Sequence, residues 1–163
     1  MLNLTLERIE REIRNLPVEH VYVLGADNEI LFHTTSGQRD RVLIPGHEVV
    51  RLRGMLLTHN HPGGRSFSLT DVMLARKVEL RELRAVTARQ RFLIMPPEGG
   101  WASVGMEEFS ATLNREKVLL LAELRDQIAK HRLTSAMVDL SFHQRLWERI
   151  AEAGLLRYRV ESW

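Results

Sequence analysis

The stretch Leu57-Thr58-His59-Asn60-His61-Pro62, followed by Ser68-Leu69-Thr70-Asp71, constrains this chain more than any other segment. The short apolar run Gly54-Met55-Leu56-Leu57-Thr58 predicts a buried strand, because alternation along a strand cannot leave a polar face in such a run. His59 and His61 stand two apart at its end, so their side chains share one face and can converge on one ion. Pro62-Gly63-Gly64 breaks the strand, and Ser66-Phe67-Ser68 leads into a helix with Asp71 in its first turn. A helix N-terminus stabilises a carboxylate placed there.

Two imidazoles and one carboxylate make a three-ligand tetrahedral set with one position left for water, which is the catalytic rather than the structural pattern for zinc. Two plainer readings stand beside it. Ser68-x-x-Asp71 also matches a capping box, and a histidine at a strand end is commonly just a hydrogen-bonded residue. The cap and the metal site are compatible, since one serine can begin a helix and still face an ion.

With these residues the chain resembles the JAMM (MPN-plus) metallopeptidase family, whose pattern is an upstream Glu, then His-x-His-Pro, then Ser-x-x-Asp. The His-Asn-His-Pro-Gly form is most similar to its RadC-like bacterial and phage branch. The segment from Pro17 to Leu31 resembles that branch's opening hairpin and supplies Glu19. The resemblance covers about Leu16 to Trp101 and implies a deaminase-like, three-layer α/β core, a mixed sheet flanked by helices. It also implies roles: His59, His61 and Asp71 hold Zn2+, Glu19 is the general base and Ser68 donates to the oxyanion. The implied reaction is hydrolysis of a peptide or isopeptide bond. Taken alone, Glu19 reads first as a carboxylate paired with an arginine at the sheet edge; the histidine motif downstream is what raises its functional role.

The chain departs from the family pattern in two places. The spacer between His61 and Ser68 is one residue shorter than usual, which leaves Ser66 as an alternative hydroxyl; the spacing to Asp71 favours Ser68. The segment from Pro45 to Arg53 is short for the helix expected there and leaves one turn, two turns or a strand open. His47-Glu48 begins like a His-Glu-x-x-His zinc helix, but Arg51 occupies the position of the second histidine.

At 163 residues the chain is long enough for a hydrophobic core. It has no cysteine, which excludes disulfides, thiolate zinc sites and a cysteine nucleophile. No apolar run approaches a membrane span and no signal-peptide pattern opens the chain, so a cytoplasmic protein without a membrane partner is expected. The net charge is only +2, and the arginine clusters at Arg39, Arg41, Arg51 and Arg53, and at Arg84, Arg89 and Arg91, are interleaved with acids. They read as solvated residues, and a nucleic-acid partner is not expected.

Leu6, Ile9, Ile13 and Leu16 predict an amphipathic N-terminal helix, supported by Glu7–Arg11 and Glu10–Arg14 pairs. Strands from Val18 and through Ile30 to His33 form a hairpin turning at Asp27-Asn28, with His33 carrying no chemistry. A helix from Leu69 to about Leu80 and strands at Arg84–Thr87 and Arg91–Met95 complete a metallopeptidase core over residues 1–104, with Trp101 expected as a core plug. Residues 105–163 read as an extension of two helices with a break near Thr134-Ser135, a stop at Gly154 and a last strand over Leu156 to Glu161. That strand joins either the core sheet or a partner's. The extension's helices are a candidate homo-oligomer interface, and its His131 and His143 are not expected to be ligands.

Three functions fit this sequence: a zinc peptidase or isopeptidase, a silent scaffold that keeps the fold, or a RadC-like DNA-associated accessory protein. For the first, the substrate is a peptide or a protein, a ubiquitin-like modifier included.

Overall fold

The computed structural model describes residues 4–35, 37 and 44–163. Arg39 and Arg41 of the first arginine cluster lie outside them. The described chain is a mixed α/β structure built on a six-stranded sheet. The strands are β1 (His20–Leu24), β2 (Ile30–Thr35), β3 (Leu56–Asn60), β4 (Glu82–Val86), β5 (Gln90–Met95) and β6 (Arg157–Ser162), in the order β2-β1-β3-β4-β5-β6. The β3–β4 pair is parallel and the others are antiparallel. A parallel pair needs a crossover, which α3 (Leu69–Lys77) provides.

The period-2 alternation of strands sorts side chains onto two faces. Leu24, Leu56 and Val86 pack against Leu6, Ile9 and Ile13 of α1 (Leu4–Ile13). The opposite face carries Val21, Val23, Leu57, Ala85, Phe92 and Ile94, covered by α3, α4 (Met106–Ala129) and α5 (Ser135–Glu152). Trp147 and Phe109 are buried in this second core together with the strands, so the C-terminal third shares the hydrophobic core of the first two. Trp101 is buried as expected, with its indole N–H donating to the Leu80 carbonyl at 2.8 Å.

The α1 face also holds charges that the sequence placed in solvent. Glu10 is completely buried; it accepts from Arg84 Nε at 2.5 Å and from Thr58 Oγ1 at 3.0 Å, and Arg91 lies 3.6 Å away. The expected Glu10–Arg14 pair is replaced by this arrangement, and the Arg14 guanidinium lies over the Trp163 ring instead, 4.6 Å from its centroid. Arg84 is buried, contrary to its reading as a solvated residue. Strand alternation puts Thr58 and Arg84 on the face that α1 covers, where the Glu10 carboxylate offsets the cost of burying the guanidinium.

The segment after Pro45 forms one helical turn, α2 (Gly46–Val49). Helix α3 stops at Lys77, short of Leu80, because Glu79 adopts a left-handed conformation, φ 54°. The Leu80 N–H then returns to the Ala75 carbonyl and the Glu79 N–H to that of Arg76, a Schellman closure. Gly154, φ 78°, closes α5 in the same way, with Leu155 bonding back to Ile150. The break between α4 and α5 falls where expected, and Thr134 Oγ1 caps α5 by accepting from the Met137 N–H at 3.2 Å. The last strand adds to the core sheet beside β5. Among the described residues, no helix is long and apolar enough to cross a membrane.

Candidate metal centre

His59 occupies the penultimate position of β3 and points to the face covered by α3, as the alternation from Leu57 requires. His61 lies just beyond the strand, where its N–H still bonds the Val86 carbonyl at 2.8 Å and so continues the parallel pairing. The two side chains therefore share a face, and their Nε2 atoms lie 2.8 Å apart.

Asn60, between them, projects to the other side and is fully buried. Its Oδ1 accepts from the His20 N–H at 2.7 Å, while its Nδ2 donates to the Val18 carbonyl at 2.9 Å and the Leu16 carbonyl at 3.2 Å. These bonds bracket Glu19, just ahead of β1, and the Glu19 carbonyl is held by Thr35 Oγ1 at 2.7 Å. The buried Glu19 carboxylate sits 3.8 Å from both histidine Nε2 atoms, so it faces the histidines as the motif implied.

Ser68 caps α3 and forms a complete capping box with Asp71. Its N–H and its hydroxyl both donate to Asp71 Oδ2 at 2.7 Å, and its Oγ accepts from the Asp71 N–H at 3.2 Å. The cap does not remove Asp71 from the site. Asp71 Oδ1 lies 4.0 Å from His59 Nε2, and Oδ2 lies 3.7 Å from His61 Nε2. Ser66 is buried and its hydroxyl is bonded to Tyr158 Oη at 2.7 Å, so Ser68 is the serine that meets the carboxylates.

Glu19, His59 and His61 offer ligand atoms within 4.8 Å of one another and could hold a metal ion. In that trio Glu19 stands where the motif led to Asp71. Asp71 approaches the same two nitrogens from the helix side, which gives the site two carboxylates and two imidazoles. Around a tetrahedral zinc with bonds of about 2.0–2.2 Å, neighbouring ligand atoms stand about 3.3–3.6 Å apart; the carboxylate–imidazole distances are slightly longer than that and the 2.8 Å between the imidazoles is shorter.

The protonation pattern favours a cation. The Arg65 carbonyl lies 2.9 Å from His61 Nδ1, and a carbonyl can only accept, so Nδ1 carries the hydrogen and Nε2 presents its lone pair. His59 Nδ1 is buried without a hydrogen-bond partner. If His59 Nε2 donates to His61, its Nδ1 lone pair is stranded; if Nδ1 carries the hydrogen, two lone pairs face each other at 2.8 Å. A cation held by both Nε2 atoms would remove that repulsion, with the Nδ1 hydrogen directed at the Arg84 backbone.

Burial, followed by the charge of His61, lowers the His59 pKa to about 4, against the opposing pull of Asp71 and the Arg84 backbone. The imidazole is therefore neutral, as a ligand must be. Burial pushes the Asp71 pKa upward, but His59, His61 and the two bonds from Ser68 outweigh it and hold the carboxyl below its usual range.

How the C-terminal helices meet this site depends on long-range packing that local spacing does not encode. The loop from Pro62 to Phe67 is pinned by residues far along the chain. Arg65 pairs with Asp139, Ser66 with Tyr158, and the Trp147 indole N–H donates to the Phe67 carbonyl at 2.8 Å. His143, on α5, also faces the site. Burial lowers its pKa, the carboxylates of Asp71 and Asp139 oppose that, and Arg65 and His61 add to it. The sequence set His143 aside because nothing in local spacing can bring a residue more than seventy positions away to Asp71.

A depression of about 760 Å³ along α3, lined by Met73, Trp101 and Met106 among others, contains none of the ligand atoms. No family model matches the chain, and no curated protein matches it.

Proposed function

We propose that the chain is a zinc-dependent hydrolase of the JAMM type, on a deaminase-like core, that cleaves a peptide or isopeptide bond with water. The observation that carries this reading is the approach of Glu19, ahead of β1, and Asp71, on α3, to the paired Nε2 atoms of His59 and His61. His59, His61 and Asp71 would hold the ion. A zinc ion there supplies Lewis acidity and brings the pKa of a water to about 7.

Glu19, buried and held from both sides by Asn60, takes the proton of the attacking water and returns it to the leaving amine. Ser68 keeps Asp71 in place through its N–H, and its hydroxyl, turned from Asp71 Oδ2, donates to the tetrahedral oxyanion. The pinned loop between His61 and Ser68 fixes both halves of the site relative to each other.

The test is metal analysis of protein purified without an affinity metal, followed by a peptide and isopeptide substrate screen. About one zinc per chain is expected, lost in a His59→Ala/His61→Ala double variant. Glu19→Gln should retain the metal and lose turnover. Protein that takes up no zinc at neutral pH sinks this reading.

A further inference from the structure

Beside the metal centre lies a cleft of about 630 Å³ whose walls come from four separate parts of the chain. The end of α1 and the residues after it contribute Arg14, Leu16 and Pro17; the loop after β3 contributes Pro62; the β4–β5 turn contributes Arg89; and α5 contributes Leu140. Its position follows from connectivity. Pro62 adjoins His61, Pro17 precedes Glu19 by two residues, and Leu140 stands three residues before His143. Gly64, also in the wall, has φ 76°, and a side chain there would project toward Leu140 Cδ1, 3.7 Å from the Cβ position. That is an ordinary contact distance, so it is the positive φ that favours glycine here.

The chemistry of the lining is one-sided. Among the described residues, Arg14 and Arg89 are its charged lining and no carboxylate lines it. The Arg14 guanidinium is backed by the Trp163 ring, and its Nε is buried without a hydrogen-bond partner. Arg89 is exposed. The rest of the lining is mixed: Leu16, Pro17, Pro62 and Leu140 give aliphatic surface, and Asn15, Gln90, Ser141 and Gln144 give amide and hydroxyl groups. Single-stranded nucleic acid is held by aromatic rings on which bases stack; the described lining residues include no aromatic ring, and the Trp163 ring behind Arg14 is already covered by the Arg14 and Arg91 guanidinium groups. A peptide fits better, with its aliphatic side chains on the apolar surface, its backbone at the amides and its carboxylates at the two guanidinium groups.

We propose that this cleft binds an acidic peptide segment of the substrate, with Arg14 and Arg89 as the residues that select for carboxylates. The proposal rests on the hydrolase reading above and assigns that enzyme's substrate class.

Binding, rather than turnover, separates it from that reading. The Glu19→Gln protein is titrated against a short fluorescein-labelled peptide alternating glutamate and leucine, its glutamine counterpart, and an oligothymidylate of equal length. Fluorescence anisotropy reads each affinity. The acidic peptide should bind about tenfold more tightly than the glutamine peptide, as one or two charge-assisted pairs provide. Arg14→Gln and Arg89→Gln should each reduce that preference, and the double variant should abolish it. Because Arg14 packs on Trp163, Arg89→Glu on the exposed side of the cleft is the control that leaves the fold untouched; it should reduce binding of the acidic peptide further. Equal affinity for the two peptides, a preference that survives these variants, or tighter binding of the oligothymidylate overturns the proposal. Zinc content of the same samples reports on the metal site separately.

Discussion

Asn60 holds Glu19 without touching its carboxylate, by bonding the His20 N–H at 2.7 Å and the Val18 carbonyl at 2.9 Å on either side of it. The residue between the two histidines thus fixes the partner strand's acid. Asn60→Asp keeps the shape and the acceptor, but loses both donations and buries a charge against two carbonyls. We expect a loss of about 1–3 kcal/mol in urea unfolding. Zinc stoichiometry should be unchanged, and hydrolysis should fall toward the level of Glu19→Gln. If Asn60→Asp loses zinc as well, Glu19 is a ligand and not the base.

His59 gives the metal-free protein a defined pH dependence. Its pKa in the folded chain, about 4, lies below the ordinary value of 6.5. Between those values the unfolded chain takes up a proton that the folded chain refuses, so stability is full above pH 6.5 and declines as the pH falls toward 4. The expected loss is about 3 kcal/mol. Urea titrations in the presence of a chelator should show this decline, and His59→Gln should flatten it. An unchanged slope in that variant would assign the decline to another group.

Glu10 tests the other face of the sheet. It meets Arg84 and Thr58 on the α1 side, away from the histidines. Glu10→Gln leaves Arg84 buried with only Glu82, 2.6 Å away, as an anionic partner. Removing one member of a buried ion pair costs about 3–5 kcal/mol. The denaturation midpoint should drop accordingly while zinc stoichiometry stays constant. A change in zinc content would mean that the two faces are coupled through β3.

The legible part of this molecule was its local part. His59 and His61 on one face, the Ser68–Asp71 helix start, the Thr134 cap and the Gly154 stop all depend on residues within a few positions of one another. The arginines show where such reading ends. Arg84 looked solvated because its partner, Glu10, lies on a helix 74 residues away, and only the packing of α1 on the sheet reveals the pair. Ser66 stood as the alternative to Ser68, and only the fold shows its hydroxyl bonded to Tyr158 of the last strand. His143 and Trp147 reach the site only because α5 folds over the loop after β3, a long-range arrangement that hydrophobic periodicity does not encode. Glu79 ended α3 early although nothing in its residue type demands a left-handed conformation.

Ser68 carries two separable roles, and a pair of substitutions divides them. As a cap, its Oγ accepts from the Asp71 N–H at 3.2 Å, and Ser68→Ala should cost about 1 kcal/mol of stability. As an oxyanion donor, its loss should reduce turnover by about 10²- to 10³-fold, far more than the small change in stability would cause. Ser68→Asn retains a good capping side chain and should recover the stability without recovering the rate, because an amide of that length cannot place a donor where the hydroxyl stood. Zinc should remain in both variants, since the Ser68 N–H still holds Asp71 Oδ2 at 2.7 Å. Full turnover in Ser68→Ala, with only the stability loss, would reduce this serine to a helix cap and leave the oxyanion to another donor.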